Sequence, residues 1–141
     1  MLETYMKINR TDILVAACHS AWYCYTVLAL GEPGEPFATA PRHQMTSLID
    51  GIDFWDQKIK DLKLEGKAEN DIMRILAPLS HMNWVDYKLS QGWTYGPSKD
   101  VEAKTHPCIV DYDKLSESNK KKDEVVLRAY LATRRAMGEL I

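Results

Sequence analysis

The sequence predicts a mostly α domain: two pseudo-twofold-related helical hairpins, four main helices in all, with a small β-hairpin flap. Three observations predict it. Apolar residues recur at helical spacing along most of the chain. One stretch, residues 91–112, is instead dense in glycine, proline and aromatic residues and cannot be a continuous helix. Finally, the pattern His-x-x-Trp-x-x-Tyr occurs twice, at His19, Trp22 and Tyr25 and at His81, Trp84 and Tyr87. The expected organisation is one domain over 1–141, with a first hairpin at 1–60, a connection at 61–77 and a second hairpin at 78–141 that carries the flap.

The first helix is expected at 11–30, with Thr11 as N-cap, Asp12 at the positive end of the helix dipole and Gly31 as the stop. Its 13–30 segment has no charge, which by length alone suggests a membrane span or a leader. His19, Ser20, Tyr23, Tyr25 and Thr26 argue instead for a helix buried in a small domain. A second helix starts near Pro41 and places Met45, Leu48, Ile49, Ile52 and Trp55 on one face. Residues 56–68 read as a connection, 69–76 as a short helix stopped by Pro78, and 78–90 as the third main helix. Ser116 caps the last helix, whose Lys120, Lys121 and Lys122 read as a solvated face.

Composition narrows the function classes. At 141 residues, with 45% hydrophobic and 27% charged residues, the chain can bury a real core. A net charge of −2 offers no general attraction for nucleic acid polymers or an anionic membrane. Cys18, Cys24 and Cys108 form neither a CxxC nor a metal-ligand pattern, so reduced thiols and a cytoplasmic location are expected. No P-loop, GxGxxG or HExxH motif occurs. The expectation is a non-enzyme with no catalytic residues, cofactor or metal, and homo-oligomerisation is left open.

On a helix, positions i, i+3 and i+6 share a broad stripe. His19 with Trp22, and His81 with Trp84, can therefore face each other across a cleft, where two indoles would hold a flat ring. The equally simple reading makes both tryptophans core anchors. In the flap, Tyr95 can stack or donate, and Lys99 and Lys104 can reach phosphates, as Arg42 can from a helix start. Asp100 and Glu102 can accept ribose hydroxyls, and the backbone around Gly96 can form an anion nest. A Cys108–His106 nucleophile pair lacks a third group to orient the base, so His106 reads as a structural hydrogen-bond donor.

The run QGWTYGP, a Lys-Asp pair, EAKTHPC and a closing Val-Asp-Tyr resemble the RyR domain, as does His81-Met-Asn-Trp84 upstream. That module is repeated in the cytoplasmic part of ryanodine receptors and also occurs as a small stand-alone domain in bacteria and phages. The resemblance covers about residues 78–135. It implies adenine-nucleotide binding between paired repeats, tryptophan against the base, and in prokaryotes the sensing of nucleotide-derived signals in antiviral conflict. The matching positions are Trp84, Trp93, Tyr95, Lys99, Asp100, His106 and Cys108, with Trp22 added through the internal echo. The expected function is a binding module for an adenine nucleotide, an ADP-ribose-like compound or a cyclic nucleotide, acting as sensor or sponge. The alternative is a protein-interaction module with no small-molecule ligand.

Overall fold

The computed structural model describes residues 9–140, and these form four main helices and one small flap. Helix α1, Arg10–Tyr23, is capped by Asn9, whose Oδ1 accepts the Thr11 N–H at 2.8 Å. The cap thus falls on Asn9 rather than on Thr11, in keeping with the stronger capping tendency of asparagine. The helix runs on as a π-helical segment, Cys24–Ala29, and stops at Gly31, where φ is +74°. A 3₁₀ turn, Phe37–Thr39, leads into α2, Arg42–Asp61.

Two expected boundaries move. Helix α2 continues into the start of the charged segment read as a connection and ends at Asp61, because Ile59 is fully buried and Asp56 is tied to Arg10, and 62–68 form the connection. Helix α3 is one element, Glu69–Ser90, with Pro78 inside it. The proline removes the bond to the carbonyl of Arg74, an exposed residue where water can reach the backbone. Ile72, Met73 and Leu76 before Pro78, and His81, Val85 and Lys88 after it, are all buried. Burial on both sides keeps the helix whole. Helix α4, Glu117–Ala136, begins as expected at Ser116, whose Oγ accepts the Asn119 N–H at 3.1 Å.

Helix α1 packs on α4 and α2 on α3, and each hairpin also packs within itself. The shared core takes Leu14 and Cys18 from α1, Ile52 and Ile59 from α2, Ile72 and Leu76 from α3, and Leu127 and Leu131 from α4. Trp55 and Tyr130 meet edge-on at its centre, with ring centroids 4.9 Å apart. Among the described residues no helix is long and apolar enough to cross a membrane.

The flap holds two short strands, β1 at Thr94–Tyr95 and β2 at Thr105–His106. They pair in parallel, Thr94 opposite Thr105 and Tyr95 opposite His106. The chain first folds back on itself: Asp100 and Thr105 exchange both backbone bonds at 3.0 Å, and this local antiparallel bridge re-aims the strand that follows. Gly96 fits because a Cβ there would lie 2.6 Å from the Thr105 side chain. Val85, Trp93 and Ile109 form a small second core beneath the flap.

At the far end from the flap-bearing turn, a polar network fastens α1, α2 and α4. Arg10 bonds Asp56 at 2.8 Å and Glu139 at 2.9 Å, Arg134 bonds Glu139 at 2.7 Å, and Tyr130 donates to Asp56. Hydrogen bonds from Arg10, opposed in part by burial, lower the Glu139 pKa from 4.5 to about 2. The folded value lies below the unfolded one, so this contribution is present above pH 4.5 and is lost as pH falls toward 2. Urea midpoints measured between pH 6 and pH 2.5 are therefore expected to fall more steeply for the wild type than for Glu139→Gln.

Candidate functional site

Two buried histidines set the walls of the site. His19 on α1 donates Nε2–H to the Glu35 carbonyl at 2.8 Å, and His81 on α3 donates Nε2–H to the Val110 carbonyl at 2.7 Å. A carbonyl only accepts, so both rings carry their proton on Nε2. His19 lies 5.2 Å from the Trp22 ring and 6.3 Å from Phe37. The matching separations from His81 are 5.8 Å to Trp84 and 6.1 Å to Tyr112. In each hairpin, a helix is thereby pinned to the loop that precedes a 3₁₀ turn. Gly34 completes the first wall, since a Cβ there would stand 2.5 Å from the Trp22 ring.

Between the walls lies a cavity of about 470 Å³, a size suited to a small-molecule ligand. Of the residues singled out from sequence, it brings together His19, Trp22, His81, Trp84, Lys99 and His106. The others stand elsewhere. Trp93 is buried, 4% exposed, in the core beneath the flap, and with Lys104 it lines a smaller depression of about 150 Å³. Lys104 donates to the Gln91 carbonyl at 3.0 Å. Asp100 accepts the N–H groups of Glu102 and Ala103 and so shapes the flap turn. Tyr95 and Arg42 are exposed and outside the cavity. Tyr25 and Tyr87, the last members of the two repeated patterns, also lie outside it.

The cavity contains groups that the sequence reading passed over. Thr26 and Lys88 stand two helical turns beyond His19 and His81, at the spacing that continues each stripe. The i+7 position continues each stripe more closely than the Tyr at i+6. Among the described residues Thr26 Oγ1 is buried without a partner, and so is Nε2 of His43 on α2. Lys88 is only 6% exposed, and its Nζ sits 4.8 Å from the Trp93 ring and 6.0 Å from that of Trp84. Burial, with the Lys99 charge, lowers its pKa to about 8. Lys122, from the run read as solvated, lines the cavity and bonds Glu32 at 2.7 Å.

The same surroundings set the other titrating groups. Burial, then Lys99 and Lys88, bring His106 to about 4, and its Nδ1 accepts the Cys108 N–H at 3.0 Å. The ring is thus an acceptor there, where a donor was expected. Burial raises the Cys108 thiol, as does Asp123, which is the opposite of what a nucleophilic thiolate needs. Asp123 has 57% of its side chain open to water. Its carboxylate lies 4.0 Å from His81 Nδ1.

The family model of the RyR domain matches residues 57–141. The chain belongs to the RyR domain family. The matched part of this RyR domain holds the end of α2, all of α3 and α4, and the flap, and with them Trp84, Lys88, Lys99 and His106. The α1 wall, with His19 and Trp22, lies before the matched residues.

Replacing His81 by alanine leaves the Val110 carbonyl without its donor, at a cost of about 1–3 kcal/mol. Chemical denaturation should show that loss. Gly34→Ala should cost less stability but shift the Trp22 ring, which a change in tryptophan fluorescence would report.

Proposed function

We propose that this RyR domain is a non-catalytic binding module for a nucleotide-derived small molecule: an adenine nucleotide, an ADP-ribose-like compound or a cyclic nucleotide. The observation that carries this reading is that Trp22 and Trp84 line one cavity of ligand size, together with the ammonium groups of Lys88 and Lys99. Indole faces favour a base and ammonium groups favour phosphates. We also take the two hairpins as related by a pseudo-twofold axis. The matched histidine–carbonyl bonds, histidine–tryptophan pairs and 3₁₀ turns support that relation.

We further take the module to be of the prokaryotic or phage type, acting as a sensor or a sponge in antiviral signalling. A cytoplasmic site of action suits its three free thiols, Cys18, Cys24 and Cys108. A second reading, a protein-interaction module, draws on the exposed apolar side chains of Leu89, Tyr95 (60% exposed) and Val101.

A thermal-shift screen against adenine nucleotides, ADP-ribose and cyclic dinucleotides tests the proposal. A ligand at 100 times its dissociation constant adds about 2.7 kcal/mol, or roughly 5–15 °C for a domain of this size. A selective shift is expected, and it should vanish in Trp84→Ala. A uniform absence of shift, with a partner lost on Tyr95→Ala in a pull-down, would favour the second reading.

A further inference from the structure

We propose that the flap side of the cavity is an anion subsite, in which Lys88, flanked by Lys99 and His43, takes a phosphoryl group of the ligand. This inference rests on the binding-module reading and adds to it a specific ligand group and the residue that selects for it.

Lys88 is the central observation. A lysine this deeply buried is ordinarily held by a carboxylate or by several hydrogen-bond acceptors. Among the described residues, no carboxylate lies within ion-pair distance of Lys88 Nζ and no acceptor bonds it. Its neighbours are the faces of Trp93 and Trp84, which offer only partial compensation for lost hydration. The charge that bears on it most is a second cation, Lys99 from the flap.

His43, on α2, adds a buried Nε2 with no partner, and its ring lies 5.7 Å from that of Trp93. Burial, and then the charges of Lys88 and Lys99, lower the pKa of that imidazole. His106 is the other titratable group under the influence of both lysines, and its pKa is lowered as well. Of the carboxylates that line the cavity, Glu32 is paired with Lys122 and Asp123 lies beside His81, and among the described residues neither forms an ion pair with Lys88 or Lys99. Three elements therefore bring two lysines and an unpartnered imidazole nitrogen to the lining of one cavity, and among the described residues no carboxylate pairs with either lysine. A phosphoryl group would accept from the ammonium groups and, in the Nε2–H tautomer, from His43.

A lysine kept only for structure would make the domain more stable than methionine does. A lysine kept for an absent anion does the reverse, because its buried charge is uncompensated until the ligand arrives. Its pKa near 8 lies below the ordinary 10.5, so the folded domain gives up this proton first. Stability should then rise with pH between about 8 and 10.5, and the difference from a methionine variant should shrink over that window.

The experiment compares wild type, Lys88→Met and Lys99→Met by calorimetric titration at pH 7 with adenosine, adenosine diphosphate and inorganic pyrophosphate, and by unliganded thermal melts from pH 7 to pH 10. Adenosine diphosphate is expected to bind roughly 10–100-fold more tightly than adenosine to the wild type. Lys88→Met should remove that preference, and should melt higher than wild type at pH 7. Lys99→Met should lose part of the preference and serves as the check should Lys88→Met fail to fold. Equal affinity for adenosine and adenosine diphosphate in all three proteins would overturn the subsite while leaving the binding module standing. Binding of pyrophosphate alone would support the subsite and overturn the stacking of a base. Failure of all three probes with the wild type would overturn both.

Discussion

The site depends on two buried imidazoles, each with a single N–H directed at a loop carbonyl. His19 and His81 cannot rotate without leaving a buried carbonyl unpaired, and each ring supports a tryptophan beside it. The connections at Glu35 and Val110 are held by these bonds rather than by strands or helices of their own. Two long helices and two irregular loops thereby become rigid walls, and the space between them stays open because the bonds hold the loops in place.

The distribution of unsatisfied chemistry is uneven. The core around Ile52, Ile59, Leu76 and Leu131 is apolar and well filled, and the Trp55 indole N–H finds Ser80 Oγ at 2.7 Å. Among the described residues the buried unpartnered atoms, Thr26 Oγ1 and His43 Nε2, both belong to residues that line the cavity, as does Lys88. Native domains rarely leave buried polar groups unpaired, and where they do a ligand or water is the usual reason. Among the described residues the unpartnered buried polar atoms are confined to one place, as expected when stability is given up locally for binding.

Much of this architecture was legible in the sequence. The four helices follow from apolar spacing, Ser116 marks the start of α4, and the glycines and prolines of 91–112 locate the flap. The histidine–tryptophan pairs were visible because both residues are uncommon and their spacing repeats. Pro78 was misleading because the cost of a proline is local, whereas the burial of Ile72, Leu76, His81 and Val85 that outweighs it is tertiary. The parallel course of β1 and β2 comes from the Asp100–Thr105 bridge, a backbone pairing that no side-chain pattern encodes. Lys88 resembles any helical lysine until the flap closes over it. Its burial is a property of the fold rather than of its neighbours in sequence.

The ion pair between Arg10 and Glu139 has a topological consequence. It brings the point where the chain enters α1 beside the point where it leaves α4. A domain whose entry and exit coincide can be spliced into a surface loop of another protein, or permuted by joining its ends and opening it elsewhere, without disturbing its interior. In this RyR domain the fastening lies in the polar network outside the cavity. Such rearrangements of connectivity would leave the tryptophan walls and the buried lysine where they are.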